Sequence, residues 1–90
     1  MAIVVRFEVS GMSSEKYEEV HRRLEAAGQG TPAGRLYHAS YGSTDDLQVV
    51  DVWDSPQALE AFGASLQPIL GELGIAAVPR VEPAYLIVPG

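Results

Sequence analysis

The chain has 90 residues, of which 47% are hydrophobic and 20% are charged, and its formal net charge is −6. This length allows one modest core, and the apolar fraction argues against a disordered chain. Phosphate groups are bound by clustered cations, so 6 Lys and Arg residues against 12 acidic ones argue against a nucleic-acid partner and an anionic membrane surface. The sequence has no cysteine, which excludes disulfides, thiolate nucleophiles and cysteine-ligated metals.

The N-terminal segment gives no sign of a targeting signal or a membrane span. Its short apolar run is interrupted by Arg6 and Glu8. No signal-peptide layout follows, and no run approaches the roughly 18 apolar residues of a membrane span. We therefore expect a cytoplasmic protein. No linker, low-complexity segment or charge run marks a boundary, so residues 1–90 are predicted to form a single domain.

The first half of the chain predicts a strand followed by a helix. Residues 2–9 are rich in β-branched side chains and place an apolar residue at every second position. Ser13 is a candidate N-cap for a helix over residues 14–27, which carries apolar residues at helical spacing, and Gly28 suits the position after the helix. The residues predicted to face the helices from the first strand are Ile3, Val5, Phe7 and Val9.

The second half predicts two strands, a helix and a last strand. Strands are expected at residues 35–41 and 47–53, with turn chemistry at residues 42–46. Ser55 and Pro56 are typical of the N-cap and first position of a helix. Because Pro68 has no backbone N–H, it is expected to kink or split this helix. The last strand is predicted at residues 78–88, and its two prolines suit the edge of a sheet.

This order of elements, β-α-β-β-α-β, predicts an α+β fold of the ferredoxin-like type. Its four strands form an antiparallel sheet in the order 4-1-3-2, with both helices on one face. The opposite face, called the bare face below, must then meet water or another molecule. We expect this face to form a homodimer interface, because a chain of this size has difficulty covering both faces.

Strand parity places a polar cluster on the bare face. If Val50 and Val52 face the helices, Asp51 and Trp53 point the other way. His38 lies on the same face as Asp51 only if the hairpin register pairs even-numbered residues of the second strand with odd-numbered residues of the third. The other register places the two side chains on opposite faces. The expected members of the bare face are Val4, Arg6, Glu8, Leu36, His38, Leu47, Val49, Asp51 and Trp53.

These side chains suggest a catalytic or ligand-binding site. A carboxylate such as Asp51 can orient the imidazole of His38, which then acts as a general base. Arg6 can hold an oxyanion in the same site. A small apolar or aromatic molecule is the expected ligand. The apolar residues expected to bind it are Trp53, Leu36 and Val49.

A second interpretation stays open. The polar side chains of the cluster can instead satisfy one another as a buried network at a dimer seam. His21 is predicted to be an exposed or half-buried helix residue, and the two histidines lack any spacing typical of a metal site. We therefore expect neither a metal nor another cofactor.

Three stretches resemble a known family: GRLYH at residues 34–38, VVDVWDS at 49–55 and LQPILGELGI at 66–75. Together with the order of elements, they are similar to small uncharacterised members of the dimeric α+β barrel superfamily, which includes antibiotic-biosynthesis-monooxygenase-like domains. The resemblance implies two sheets packed face to face in a homodimer.

The same resemblance implies a function. It suggests a cofactor-independent, monooxygenase-like enzyme acting on a small aromatic or polyketide-like molecule. The alternative is a dimer that binds a small molecule without catalysis or is purely structural. The haem-degrading branch of the superfamily uses an Asn, Trp and His set. This sequence contains no Asn, so that activity is not inferred.

Overall fold

The computed structural model describes residues Met1–Gly90 and confirms the predicted order of elements. The four strands form one antiparallel sheet in the order β2-β3-β1-β4, as expected for a ferredoxin-like fold. Neither helix is both long and apolar enough to cross a membrane. The elements are β1 (Ile3–Ser10), α1 (Ser14–Ala26), β2 (Arg35–Ser43), β3 (Asp46–Trp53), α2 (Pro56–Glu72) and β4 (Ala76–Pro83).

Both helices begin at the predicted serine caps. The Ser13 hydroxyl accepts a hydrogen bond from a backbone N–H of α1 at 3.3 Å, and the Ser55 hydroxyl does the same for α2 at 3.2 Å. Of the predicted kink or split at Pro68, the split is wrong, since α2 continues through Pro68 as one element. Phe62 and Leu70 are buried on either side of the proline, and this packing holds both halves of the helix against the sheet.

The strand boundaries differ at the hairpin and at the C-terminus. Ser43 pairs with Asp46, so the turn between β2 and β3 is shorter than predicted. β4 pairs only with β1 and ends at Pro83, which confirms its edge position but not its predicted extension to residue 88. The segment after β4 leaves several large apolar side chains exposed, namely Tyr85, Leu86, Ile87 and Val88.

The register between β1 and β3 decides which side chains the helices cover. Directly opposed residues of an antiparallel pair share a face, so the partners of the inward-facing β1 residues also lie under the helices. The prediction that Asp51 and Trp53 lie on the bare face is therefore wrong, and Val50 and Val52 lie there instead. The inward-facing pairs are Ile3 with Trp53, Val5 with Asp51, and Phe7 with Val49.

The physical reason for this difference is the size of Trp53. β3 carries apolar residues on both of its faces, so alternation alone does not choose between them. Trp53 is fully buried, and its ring centroid lies 5.2 Å from that of Phe62 on α2. Burying this side chain removes more apolar surface from water than burying either Val50 or Val52 would. The core therefore forms around Trp53, between the sheet and the helices.

Candidate functional site

A chain of hydrogen bonds links α1 to the middle of the sheet. The hydroxyl oxygen of Tyr17 lies 2.7 Å from Nε2 of His38. Nδ1 of His38 lies 2.6 Å from Oδ1 of Asp51. The second carboxylate oxygen, Oδ2, accepts a hydrogen bond from Nε1 of Trp53 at 3.2 Å. The four side chains form one connected network, called the relay below.

The hairpin register brings His38 and Asp51 together. The two residues are directly opposed, which is the register that the parity analysis required. A bulge between Arg35 and Tyr37 shifts the register by one residue. Arg35 therefore pairs with Trp53, and Tyr37 pairs with Val52. As a result, both Arg35 and His38 face the helices.

Burial fixes the hydrogen-bonding roles within the relay. Asp51 is only 2% exposed, and both its oxygens have partners. Because a carboxylate only accepts, Nδ1 of His38 must donate to it. In the neutral imidazole Nε2 is then an acceptor, and the Tyr17 hydroxyl donates to it. A proton arriving at the Tyr17 oxygen can therefore displace the Tyr17 proton onto His38, next to the Asp51 carboxylate.

The relay borders an apolar cavity between the sheet and the helices. Tyr17, His38, Asp51 and the predicted Val49 are among its 15 lining residues, most of which are hydrophobic. The space in this cavity that a water molecule can occupy is about 50 Å³. Small-molecule sites typically enclose ~300–1,000 Å³. This cavity is several times smaller than that range, so binding of an aromatic ligand would require the lining side chains to move apart.

His21 completes an aromatic cluster at this cavity. Its ring centroid lies 4.5 Å from that of Tyr17 and 5.7 Å from that of His38, both in edge-to-face contact. Burial is the main cause that lowers the pKa of His21, and electrostatic interactions with His38 and Arg35 lower it further, against a weaker effect of Glu25. His21 is therefore half-buried, which is within the prediction, and it also lines the cavity, which the sequence did not predict.

Three predicted site residues lie elsewhere. Arg6 is exposed on the bare face opposite Val50, so the sheet separates it from the relay. Leu36 sits at the bulge and is 56% exposed, outside the cavity. Trp53 does not line the cavity, and its indole N–H donates a hydrogen bond to Asp51. Arg6 lies on the bare face as predicted, whereas His38 and Asp51 do not, and the predicted placement of Leu36 assumed a regular strand.

Sequence reasoning assigned no site role to Tyr17 and Arg35, both of which line the cavity. Tyr17 is one of the apolar residues that recur at helical spacing in α1. Its spacing of four from His21 was the available signal, because residues four apart share a helix face. Arg35 had no comparable signal, since only the bulge turns its side chain toward the helices.

Comparison with solved structures identifies this fold in several proteins. SnoaB from Streptomyces nogalater, a cofactor-independent oxygenase, is 23% identical, with 99% of this chain and 96% of SnoaB covered at a TM-score of 0.61. Rv0793 from Mycobacterium tuberculosis is 14% identical over the full length of both chains, at a TM-score of 0.65. A protein from Caulobacter crescentus, provisionally assigned as an antibiotic biosynthesis monooxygenase, is 21% identical over 90% of this chain and 85% of its own, at a TM-score of 0.60.

These similarities confirm the resemblance to antibiotic-biosynthesis-monooxygenase-like proteins at the level of the fold. No protein-family model matches the sequence, and no curated protein matches it either. At 14–23% identity the shared architecture does not carry an activity from one chain to another. The activity of this protein therefore depends on the chemistry of its relay and cavity.

Proposed function

We propose that this protein is a cofactor-independent, monooxygenase-like enzyme that acts on a small aromatic or polyketide-like molecule in the cytoplasm. The observation that carries this proposal is the series of hydrogen bonds from Tyr17 through His38 to Asp51, which borders an apolar cavity. The fold of the oxygenase SnoaB supports it. His38 acts as the base and Asp51 as its orienting group. Tyr17, which the sequence did not predict for this site, transfers the proton between the substrate and His38.

The relay suits removal of a proton from an activated C–H bond. The substrate proton passes to the Tyr17 oxygen while the Tyr17 proton moves to Nε2 of His38. The resulting imidazolium lies 2.6 Å from the Asp51 carboxylate, which stabilises it. The apolar surroundings strengthen this interaction, because they exclude water from the ion pair.

Molecular oxygen would be the oxidant. The substrate carbanion transfers an electron to O₂, and the resulting pair combines into a peroxide anion. The proton returned from His38 gives a hydroperoxide, which loses water and leaves a carbonyl. The balance is one CH₂ group and one O₂ converted to one C=O group and one H₂O.

Oxygen uptake with anthrone, which has an activated CH₂ group, tests this function. We expect the parent protein to consume O₂ and form the quinone. The variants His38→Ala and Tyr17→Phe should lower the rate by about 10²–10⁴-fold, the usual contribution of general acid–base catalysis. Quinone formation can be followed by absorbance beside an oxygen electrode.

Tyr41→Phe is the matched control, since Tyr41 lies at an exposed position away from the cavity. Its rate should equal that of the parent. A parent protein that binds anthrone without consuming oxygen would contradict the enzyme assignment and favour the non-catalytic binding dimer. Unchanged rates in both relay variants would remove the relay from the mechanism.

We also propose that the single predicted domain forms a homodimer through the bare face of its sheet. Val4, Val50 and Val52 are only partly buried there, and Tyr37 is 61% exposed. Contiguous exposed apolar surface of this kind is typical of protein interfaces.

Sedimentation at micromolar concentration tests the dimer. We expect a species of about twice the 9.6 kDa chain mass. Tyr37→Glu should shift the equilibrium to the monomer, because it places a charge within an apolar interface. Ala64→Glu, on the exposed side of α2, is the matched control and should stay dimeric. A parent protein that sediments only as a 9.6 kDa species would contradict the interface.

A further inference from the structure

Arg35 is the only Lys or Arg among the residues that line the cavity. Its guanidinium carbon lies 5.8 Å from the centroid of the Phe62 ring. Its one hydrogen bond is a long contact of 3.5 Å to the backbone carbonyl of Gly30. It forms no salt bridge, whereas Arg22, Arg23 and Arg80 each pair with a glutamate. This partly buried cation is therefore without an anionic partner.

No carboxylate in the cavity is free to neutralise Arg35. Asp51 is the only acidic residue in the lining, and its two oxygens are occupied by His38 and Trp53. The remaining polar groups are the imidazoles of His21 and His38 and the Tyr17 hydroxyl. The charge of Arg35 reaches into this space, since it contributes to the lowered pKa of His21. Arg35 is therefore the group in the lining that is left to pair with an anionic ligand.

We infer that the cavity binds an apolar molecule with one anionic oxygen, of the carboxylate, phenolate or enolate class, and that Arg35 holds this oxygen. The inference rests on the proposed function and deepens it by naming the class of substrate. Arg35 takes the role of oxyanion partner that the sequence had suggested for Arg6. The apolar lining encloses the rest of the ligand and excludes water, which strengthens a charge-assisted hydrogen bond.

The geometry on β2 supports this division of roles. Arg35 and His38 lie on either side of the bulge and face the same cavity. The anionic oxygen can therefore be held at one end of the cavity while an adjacent carbon meets the relay. Since removal of a proton next to a carbonyl places negative charge on that oxygen, Arg35 would also stabilise the charge that develops during the reaction.

Binding of paired acids and amides tests the inference without turnover. The probes are benzoate against benzamide and butanoate against butanamide, each pair nearly equal in shape and different in charge. Dissociation constants can be measured by NMR titration of the His21 and His38 imidazole resonances. For the parent protein we expect the acid to bind at least about tenfold more tightly than its amide in one or both pairs, because only the acid offers Arg35 a charge.

Three variants show whether the preference depends on Arg35. Arg35→Gln should bind acid and amide equally, and Arg35→Lys should keep part of the preference because it keeps the charge. Arg6→Gln removes the same charge from the bare face and should leave the preference unchanged. Thermal melts of each variant confirm that it is folded before it is titrated.

The outcomes separate this inference from the proposed function. Equal binding of acid and amide by the parent overturns the anion site while leaving the cavity as a ligand site. An acid preference that survives in Arg35→Gln overturns the role of Arg35. Binding of neither probe in either pair overturns the inference, and oxygen uptake with anthrone then decides the proposed function separately.

Discussion

Replacement of Asp51 by alanine is expected to lower the free energy of unfolding by about 2–6 kcal/mol, because two buried hydrogen-bond donors lose their acceptor. Asp51 is 2% exposed and is the acceptor for both His38 Nδ1 and Trp53 Nε1. The alanine variant leaves both donors without a partner, and each buried unsatisfied group costs about 1–3 kcal/mol. Urea denaturation monitored by circular dichroism measures the change.

Asp51→Asn distinguishes the contribution of the hydrogen bonds to stability from the contribution of side-chain volume. The amide keeps the shape, but only its oxygen accepts, so one of the two donors loses its partner. We expect a loss of about 1–3 kcal/mol, smaller than that of the alanine variant. Glu60→Ala removes an exposed carboxylate from α2 and should stay within about 0.5 kcal/mol of the parent. A loss below about 1 kcal/mol for Asp51→Ala would show that the relay does not stabilise the fold.

Trp53→Ala is expected to destabilise the protein by about 3–5 kcal/mol for a different reason. Trp53 is fully buried, and its ring packs against Phe62 between the sheet and α2. Its removal leaves a cavity at the centre of the core and also takes a donor from Asp51. Chemical denaturation at fixed protein concentration measures the loss, since a dimer would make stability depend on concentration.

Trp53→Phe tests how much of this loss comes from the indole N–H. The variant keeps an aromatic ring in the core but leaves Oδ2 of Asp51 without its donor, and we expect a loss of about 1–3 kcal/mol. Tyr85→Ala is the control, because it removes a fully exposed aromatic ring from the segment after β4. Equal stability of Trp53→Phe and the parent would show that packing alone explains the role of Trp53.

Local signals in the sequence were sufficient for the fold. The serine caps at Ser13 and Ser55 start both helices, because a side-chain oxygen can satisfy a free backbone N–H there. The prolines of the last strand correctly indicated an edge, since proline cannot donate to a neighbouring strand. The exception was Pro68, where packing of α2 against the sheet outweighed the lost donor.

The site was only partly predictable. His38 and Asp51 were chosen correctly as a pair that could meet, and the structure opposes them directly. The predicted partner Arg6 lies on the other face, while Tyr17 and Arg35 occupy the cavity. Neighbours of this kind depend on how α1 packs on the sheet and on a bulge of one residue, and neither leaves a periodic pattern in the sequence.

The sequence by itself determined the order of elements, the strand order of the sheet and the choice of His38 and Asp51, because these follow from local propensity and from the types of side chain. Only the tertiary structure decided which face of the sheet holds them. β3 is apolar on both faces, and a shift of one residue in register exchanges those faces. Burial of Trp53 against α2 made that choice and drew Asp51 under the helices, where Trp53 and His38 satisfy its charge.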